Sequence, residues 1–391
     1  MVGFRIGDIT AGQSGGVHRV SARVDHPAGC DTVWFESSEP FGCQPADAFV
    51  ALAASCALSA GGPIVCREPV SHRLAEGLWR IGRLNQASDP DAPEIQIDAP
   101  RRIGAENTPP GPIRAALFTA GVDSYHTAMD PSLRTDALFA VLGGDIAVDN
   151  RTQADSLLPR WRRAADELGK RLIVVRTNAR ELIDRFARWE SIYTIGLAAA
   201  GHLFQGRIGV LYASASMAWR DMSWPPQDPV VVPLLGSESL WLGFHGAEHS
   251  RQAKIRAVAG LPLVQQTLQV CIDNPTNPGN CSRCEKCVRT MLGLMAEGRL
   301  GEFSTFGPMP EPAYVRALRF HMDRELSFMR ELETVLRSRP DCRPWADALR
   351  HAVRRCEGRT FSRRWRRWIL GERAGGSTRR SPDGRALPPH V

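Results

Sequence analysis

The pattern of apolar and polar positions changes character near residue 113. Before it, strand-period alternation at 32–36 and 94–97 is interleaved with helical periodicity at 45–59 and 72–85. From 113 onward the chain settles into regular alternation. Strand-length apolar runs at 114–118, 137–142, 171–176, 208–213 and 267–272 are separated by helical runs at 122–130, 152–169, 179–204 and 248–259. Such alternation predicts an α/β fold, a doubly wound parallel sheet with helices on both faces. The stretch 101–112, with Pro109, Pro110 and Pro112, reads as a linker. Helical periodicity returns at 312–337 and 345–356. The expected organisation is a small N-terminal α+β domain at 1–105, an α/β domain at 113–305, a helical extension at 306–357 and a basic, disordered tail at 358–391. No internal repeat is visible.

Candidate chemistry begins where the first strand of the α/β region ends. Thr119, Ala120, Gly121, Val122, Asp123 and Ser124 follow that strand and open a helix. A small-residue turn between a strand and a helix N-terminus gathers backbone N–H groups around one spot, where they favour phosphate. The Thr119 and Ser124 hydroxyls can donate to phosphate oxygens, and Asp123 can hold Mg²⁺ through oxygen. No Gly-Lys-Ser/Thr follows, so this is not a Walker loop. An ordinary strand-to-helix turn with an Asp-Ser cap is the alternative.

In a doubly wound sheet the loops after the other strands are the next candidates. Gly143, Gly144 and Asp145 follow the second strand, and small residues there suit an adenine or a ribose. Asn178 and Arg180 follow the third, combining a helix cap with a cation. Ser214 and Ser216 follow the fourth. His249, Ser250, Arg251 and Lys254 open a later helix, where Arg251 and Lys254 fall on one face and can neutralise a departing pyrophosphate. The alternative is a solvated basic face. Lys254 is one of only three lysines in a chain whose other cations are all Arg, which favours a specific role.

A second constellation lies at Cys271, Cys281, Cys284 and Cys287. Three thiols at successive three-residue steps, with a fourth one turn-rich loop upstream, can enclose Zn²⁺ tetrahedrally as a closed structural site. An iron–sulfur cluster takes the same four residues, and scattered core thiols are a third reading. The six other cysteines (Cys30, Cys43, Cys56, Cys66, Cys342, Cys356) read as buried or incidental thiols.

The loop resembles the PP-loop of the ATP pyrophosphatase (adenine-nucleotide α-hydrolase-like) superfamily, whose pattern is Ser-Gly-Gly-x-Asp-Ser/Thr. Thr119 replaces the serine and keeps its hydroxyl. Ala120 replaces the first glycine, and its Cβ costs roughly 1 kcal/mol or more wherever φ must be positive. Loop and cysteines together, over residues 113 to 298, are similar to 7-cyano-7-deazaguanine synthase-type members with a four-cysteine zinc knuckle. The resemblance implies an ATP-dependent ligase or synthase. It would adenylate a small carboxylic acid or carbonyl substrate, release pyrophosphate, and let ammonia, an amine or a sulfur donor displace AMP. It further implies ATP, Mg²⁺ and Zn²⁺ as cofactors, with Cys271, Cys281, Cys284 and Cys287 as zinc ligands. Thr119, Ala120, Gly121, Val122, Asp123, Ser124, Gly144 and Asn178 would then bind nucleotide, while Asp123, Ser124, Arg251 and Lys254 would serve the chemistry.

Charge adds one partner. The chain of 391 residues is 43% hydrophobic and 23% charged, with a net charge of +7. From 351 to 391 there are eleven Arg against Glu357, Glu372 and Asp383, so the remainder is close to neutral. In the tail, Arg363, Arg364, Trp365, Arg366, Arg367 and Trp368 interleave cations with aromatics, a composition suited to RNA. A tRNA-modifying enzyme of thiolation type and a non-catalytic zinc-knuckle nucleic-acid binder are therefore the rival functions. A second copy of the chain is a further candidate partner. No apolar run approaches a membrane span, the N-terminus has no signal-peptide core, and thiol-rich composition points to a reducing cytoplasm.

Overall fold

The computed structural model describes residues 3–102, 111–222, 229–271, 279–320 and 323–370. Its N-terminal strands β1 (Phe4–Ser14), β2 (Val17–His26) and β3 (Gly29–Ser37) form an antiparallel meander. Gly15 and Gly16 turn the first hairpin with φ of +56° and +78°, values that suit glycine and match the twist of the strands. A bulge interrupts β1 between Gly7 and Thr10, where Asp8 has φ of +50°. Next come α1 (Ala46–Ala60), β4 (Pro63–Cys66), β5 (Val70–Ser71), α2 (His72–Ser88), β6 (Gln96–Asp98) and β7 (Arg101–Arg102).

The second part begins at β8 (Ile113–Leu117), followed by α3 (Val122–Met129), β9 (Ala137–Leu142), α4 (Arg151–Glu167) and β10 (Arg171–Thr177). Then come α5 (Ala179–Ile183), α6 (Trp189–His202), β11 (Ile208–Ser214), α7 (Val231–Leu234), β12 (Trp241–His245), α8 (Arg251–Val258) and α9 (Pro262–Thr267). The helix expected across 179–204 is two, broken by turns after Ile183.

Ten strands form one sheet in the order β12-β11-β8-β9-β10-β3-β2-β1-β4-β6. Neighbours from β12 to β10 are parallel, as are β1, β4 and β6. The protein is therefore α/β, with a large, mostly parallel sheet flanked by helices, compatible with a doubly wound fold. From β8 the chain moves outward through β9 and β10, then returns to β8's other edge with β11 and β12. Crevices for ligands form beyond the carboxyl ends of strands at such a reversal.

The sheet is continuous across the stretch read from the sequence as a separate N-terminal unit. β10 pairs antiparallel with β3 through Arg176–Glu36 and Thr177–Phe35. A buried carboxylate reinforces the seam. Asp47 accepts from the Ser71 N–H at 2.8 Å, from Arg102 Nη2 at 2.6 Å and from Gln205 Nε2 at 2.8 Å.

The central parallel strands are largely apolar on both faces, as strands covered on both sides must be. In β9 every residue is buried. Ala137, Phe139 and Val141 join α1 and α6 on one face, while Leu138, Ala140 and Leu142 join α3, α4 and α8 on the other. A third apolar cluster packs α10 (Glu285–Ala296) against α11 (Pro312–Ala317), α12 (Asp323–Arg337) and α13 (Arg343–Leu370).

One strand assignment is corrected. The fifth strand of the parallel array is β12, not 267–272. Thr267 ends α9, and Gln269, Val270 and Cys271 spend their N–H groups outside any strand: Gln269 on the Ala120 carbonyl at 2.9 Å, Val270 and Cys271 on Asn280 Oδ1 at 2.8 and 3.1 Å. Its apolar residues are buried because the run packs against the β8–α3 connection and leads into the cysteine cluster. The turn-rich stretch 272–278 and the end of the basic tail, 371–391, lie outside the described residues. α13 itself continues to Leu370, past the point where the tail was expected to begin. Among the described residues, no helix is long and apolar enough to cross a membrane.

Candidate functional site

The β8–α3 connection has the shape that its sequence suggests. Ala120 adopts φ of +58°, in the left-handed region, and is fully buried. Its carbonyl is held by the Gln269 N–H, which ties the loop to the segment leading to Cys271. Gly121 is the N-cap of α3, with no side-chain cap. Ser124 Oγ donates to the Gly121 carbonyl at 2.9 Å and accepts from the Thr119 N–H at 3.4 Å, closing the turn on itself. The alternative of an Asp-Ser cap is therefore not how this helix begins.

Asp123, in the first turn of α3, faces two cations from α8. Arg251 Nη1 pairs with Asp123 Oδ2, and Lys254 Nζ lies 3.7 Å from Oδ1. The shared helical face expected for Arg251 and Lys254 is thus turned inward: they are 8% and 1% exposed. Ser250 caps α8 through the Ala253 N–H at 3.2 Å, which fixes where both cations emerge. Lys254 Nζ donates to the Ala215 carbonyl, just beyond β11, at 2.5 Å. Burial pushes the Lys254 pKa down, and Asp123 opposes that shift. Asp123 Oδ1 and Arg251 Nε are buried and make no hydrogen bond.

Beside this group stand two residues that the sequence did not single out, His126 and His245, together with the expected His249. His126 follows Asp123 by one helical turn, and its ring stacks on His245 at 5.3 Å and lies 5.1 Å from His249. His245 ends β12 and is fixed from both sides, by Thr127 Oγ1 at 3.1 Å and Asp130 Oδ2 at 2.9 Å. Gly246 has φ of +89°, and a Cβ there would sit 3.4 Å from His126 Nδ1 and 3.5 Å from Lys254 Nζ. Burial, then the charges of His245, Lys254 and His249, push the His126 pKa down to about 4. At neutral pH it is an uncharged imidazole beside a buried lysine.

The four cysteines converge. Cys271, Cys281, Cys284 and Cys287 offer sulfurs all within 4.8 Å of one another. Cys281–Cys287 and Cys284–Cys271 are each 3.9 Å apart. Four sulfurs at about 2.3 Å from a tetrahedral metal stand about 3.8 Å apart, so this group can bind a metal such as zinc. Local structure explains the approach. Cys284 caps α10 and its N–H donates to Cys281 Sγ at 3.2 Å, while Ser282 takes φ of +60° to turn the chain between them. The Cys284 and Cys287 thiols donate toward Cys271, which pulls its pKa far below the ordinary thiol value and raises theirs. A metal would replace those shared protons. A cavity of about 500 Å³ opens beside the cluster, lined by residues including Asn280, Cys281, Arg283, Glu311 and Tyr314.

The remaining sequence candidates are engaged with the protein. Asn178 accepts from the Trp34 N–H at 2.9 Å and donates to the Thr32 carbonyl at 3.0 Å, so its amide extends the β10–β3 seam. The cap of α5 comes from Thr177 instead, whose Oγ1 accepts from the Ala179 N–H. Gly144 packs on the Trp189 indole, where a Cβ would come within 3.0 Å, and its carbonyl accepts from Arg180 Nη1 at 3.1 Å. Asp145 accepts from Trp189 Nε1 at 2.8 Å. Ser214 ends β11, paired in register with His245. No protein-family model, no curated protein and no solved structure matches this chain.

Proposed function

We propose that the protein is an AMP-forming ATP pyrophosphatase of the PP-loop type, which adenylates a small carboxylic acid or carbonyl substrate and releases pyrophosphate. The observation that carries the reading is the convergence of Arg251 and Lys254, both buried, on Asp123 at the first turn of α3, beside a strand–loop–helix turn. Buried cations of this kind need anionic partners, and one carboxylate already shared between them is a poor complement.

In this reading the backbone of 119–122 and the Ser124 hydroxyl receive phosphate oxygens. Asp123 Oδ1, buried without a hydrogen bond, suits a cation and would hold Mg²⁺, which neutralises phosphate charge when bound. Arg251 and Lys254 meet the charge that develops on the leaving pyrophosphate. The substrate oxygen attacks the α-phosphorus, pyrophosphate departs, and ammonia or an amine then displaces AMP. The protein's share is positioning and charge stabilisation. The four thiolates would hold zinc as a structural ion, and the neighbouring cavity is the candidate substrate pocket.

Labelled ATP with magnesium and a pool of small carboxylic acids tests this. AMP and pyrophosphate are the expected products. ADP and phosphate as the main products would overturn the assignment.

A further inference from the structure

Helix α10 carries a group that the phosphate-loop reading does not use. Arg289 lies in its second turn, just after Cys287, and is 8% exposed. Its guanidinium lies over the Phe328 ring, 4.4 Å from the centroid, which fixes its plane. The carboxylate at hand is Glu285, with Oε1 3.2 Å from Nη1. That pair is close but poorly aligned: Glu285 Oε1 and Arg289 Nε are both buried without a hydrogen bond.

The packing of α10 on α8 says where this guanidinium sits. Gln252 Nε2 donates to the Gly293 carbonyl at 3.0 Å and to Glu297 at 2.7 Å, and Arg256 pairs with Glu297 one turn further on. The two helices therefore run side by side in the same direction. Arg289, one turn before Gly293, lies level with the start of α8, from which Arg251 emerges. The charges close enough to act on it are Glu285, Arg251, Asp123 and Glu325. Arg251, Lys254 and Arg289 are each at least nine-tenths buried. The nearby carboxylates leave the Nε–H of both guanidiniums unbonded.

We propose that Arg289 is an anion-binding residue of the phosphate site, its guanidinium donating to oxygens of the same pyrophosphate group that Arg251 and Lys254 face. This rests on the adenylating reading above and deepens it. The helix that the cysteine cluster caps is then also the helix that delivers a phosphate ligand. The planar fork of a guanidinium matches two oxygens of one phosphate, which an ammonium cannot do.

The test uses the full-length chain with inorganic pyrophosphate and magnesium, read by calorimetric titration and by thermal unfolding with and without ligand. Wild-type protein should bind pyrophosphate and melt higher in its presence. Arg289→Met should bind roughly 10- to 100-fold more weakly, beyond any lowering of its unliganded melting temperature caused by the Glu285 carboxylate losing its partner. Arg289→Lys should recover only part of the affinity. Arg289→Met melting lower but binding pyrophosphate like wild type would make Arg289 a structural partner of Glu285 and overturn the proposal. Should that variant not fold, wild-type affinity in Arg289→Lys overturns it equally. Wild-type protein that forms AMP from ATP, with affinity indifferent to residue 289, fails this inference alone. Wild-type protein that binds neither ATP nor pyrophosphate fails the underlying reading as well.

Discussion

Ala120→Gly changes one methyl group, and its outcome depends on the backbone conformation of the proposed phosphate loop. At φ of +58° the alanine Cβ crowds the backbone, at a cost of roughly 1–2 kcal/mol that glycine does not incur. Two effects run the other way. Glycine gives the unfolded chain more freedom, worth about 0.4–1 kcal/mol. Ala120 is also fully buried, so the lost methyl forfeits about 0.8 kcal/mol. The sum lies within about 1 kcal/mol of zero.

Ala140 supplies the comparison. It is equally buried, in β9, with no left-handed backbone to relieve. Ala140→Gly should cost about 1.3–1.8 kcal/mol, from strand propensity and the lost methyl together. Denaturant titration of both variants, followed by circular dichroism, should show the Ala140→Gly midpoint clearly lowered and the Ala120→Gly midpoint near wild type. Nucleotide affinity should hold or improve in Ala120→Gly, since the Cβ nearest the loop is gone. Equal losses in the two variants would refute the left-handed turn, and with it the backbone basis of the phosphate-loop reading.

Other consequences are open to measurement. Cys284→Ser removes one thiol of the cluster while its hydroxyl can still cap α10, so metal content should fall by about one ion per chain; undiminished metal content would show that Cys284 is not a ligand. Asp123→Asn should lower AMP formation by roughly 10²- to 10³-fold, and full activity would remove Asp123 from the site. His126 should make stability depend on acid. Its folded pKa, about 4, lies below the ordinary imidazole value of 6.5, so as the pH falls the unfolded chain takes up the proton first. Stability should decline from about pH 6.5 to about pH 4 by about 1–2 kcal/mol after solvent screening. The facing groups, Asp123, His245, His249 and Lys254, are kept in His126→Gln, which should flatten that slope; an unchanged slope would assign it elsewhere.

The regions that could be read from sequence are those where a short window determines the outcome. β9 is a continuous apolar run because a central parallel strand is covered on both faces, and it falls where expected. The helices at 45–59 and 72–85 form as α1 and α2 for the same local reason. The N-terminal meander was mostly missed. Much of β1 is exposed, and it carries Gly7, Gly12 and a bulge, so its alternation is confined to the short stretch from Phe4 to Ile6. β12 is short and apolar, Trp-Leu-Gly-Phe-His, but Gly243 interrupts the run where a Cβ would strike the rings of Trp241 and Tyr212, and five residues carry too little periodicity to mark a strand. Leu268, Val270 and Cys271 imitated a strand because all are buried, but they are buried under a loop.

The candidate site divides along the same line. Its loop and its cysteines are contiguous motifs, whereas its histidines and the pairing of its charges arise only when distant elements meet. With the fifth strand expected at 267–272 and none at 241–245, His245 does not show itself at a strand's carboxyl end, nor His126 as its stacking partner. Arg251 and Lys254 could be put on one helix face from their spacing, but spacing does not say whether that face is wet or dry. Burial decides it. An exposed Arg-Lys pair is solvated at little cost, while the same pair at 8% and 1% exposure requires anions. Asp123 supplies one negative charge, with one oxygen left without a hydrogen bond. The proposed further anion thus rests on tertiary charge balance, independently of any resemblance in the loop, and its place agrees with the general preference of such strand orders for ligands at their reversal.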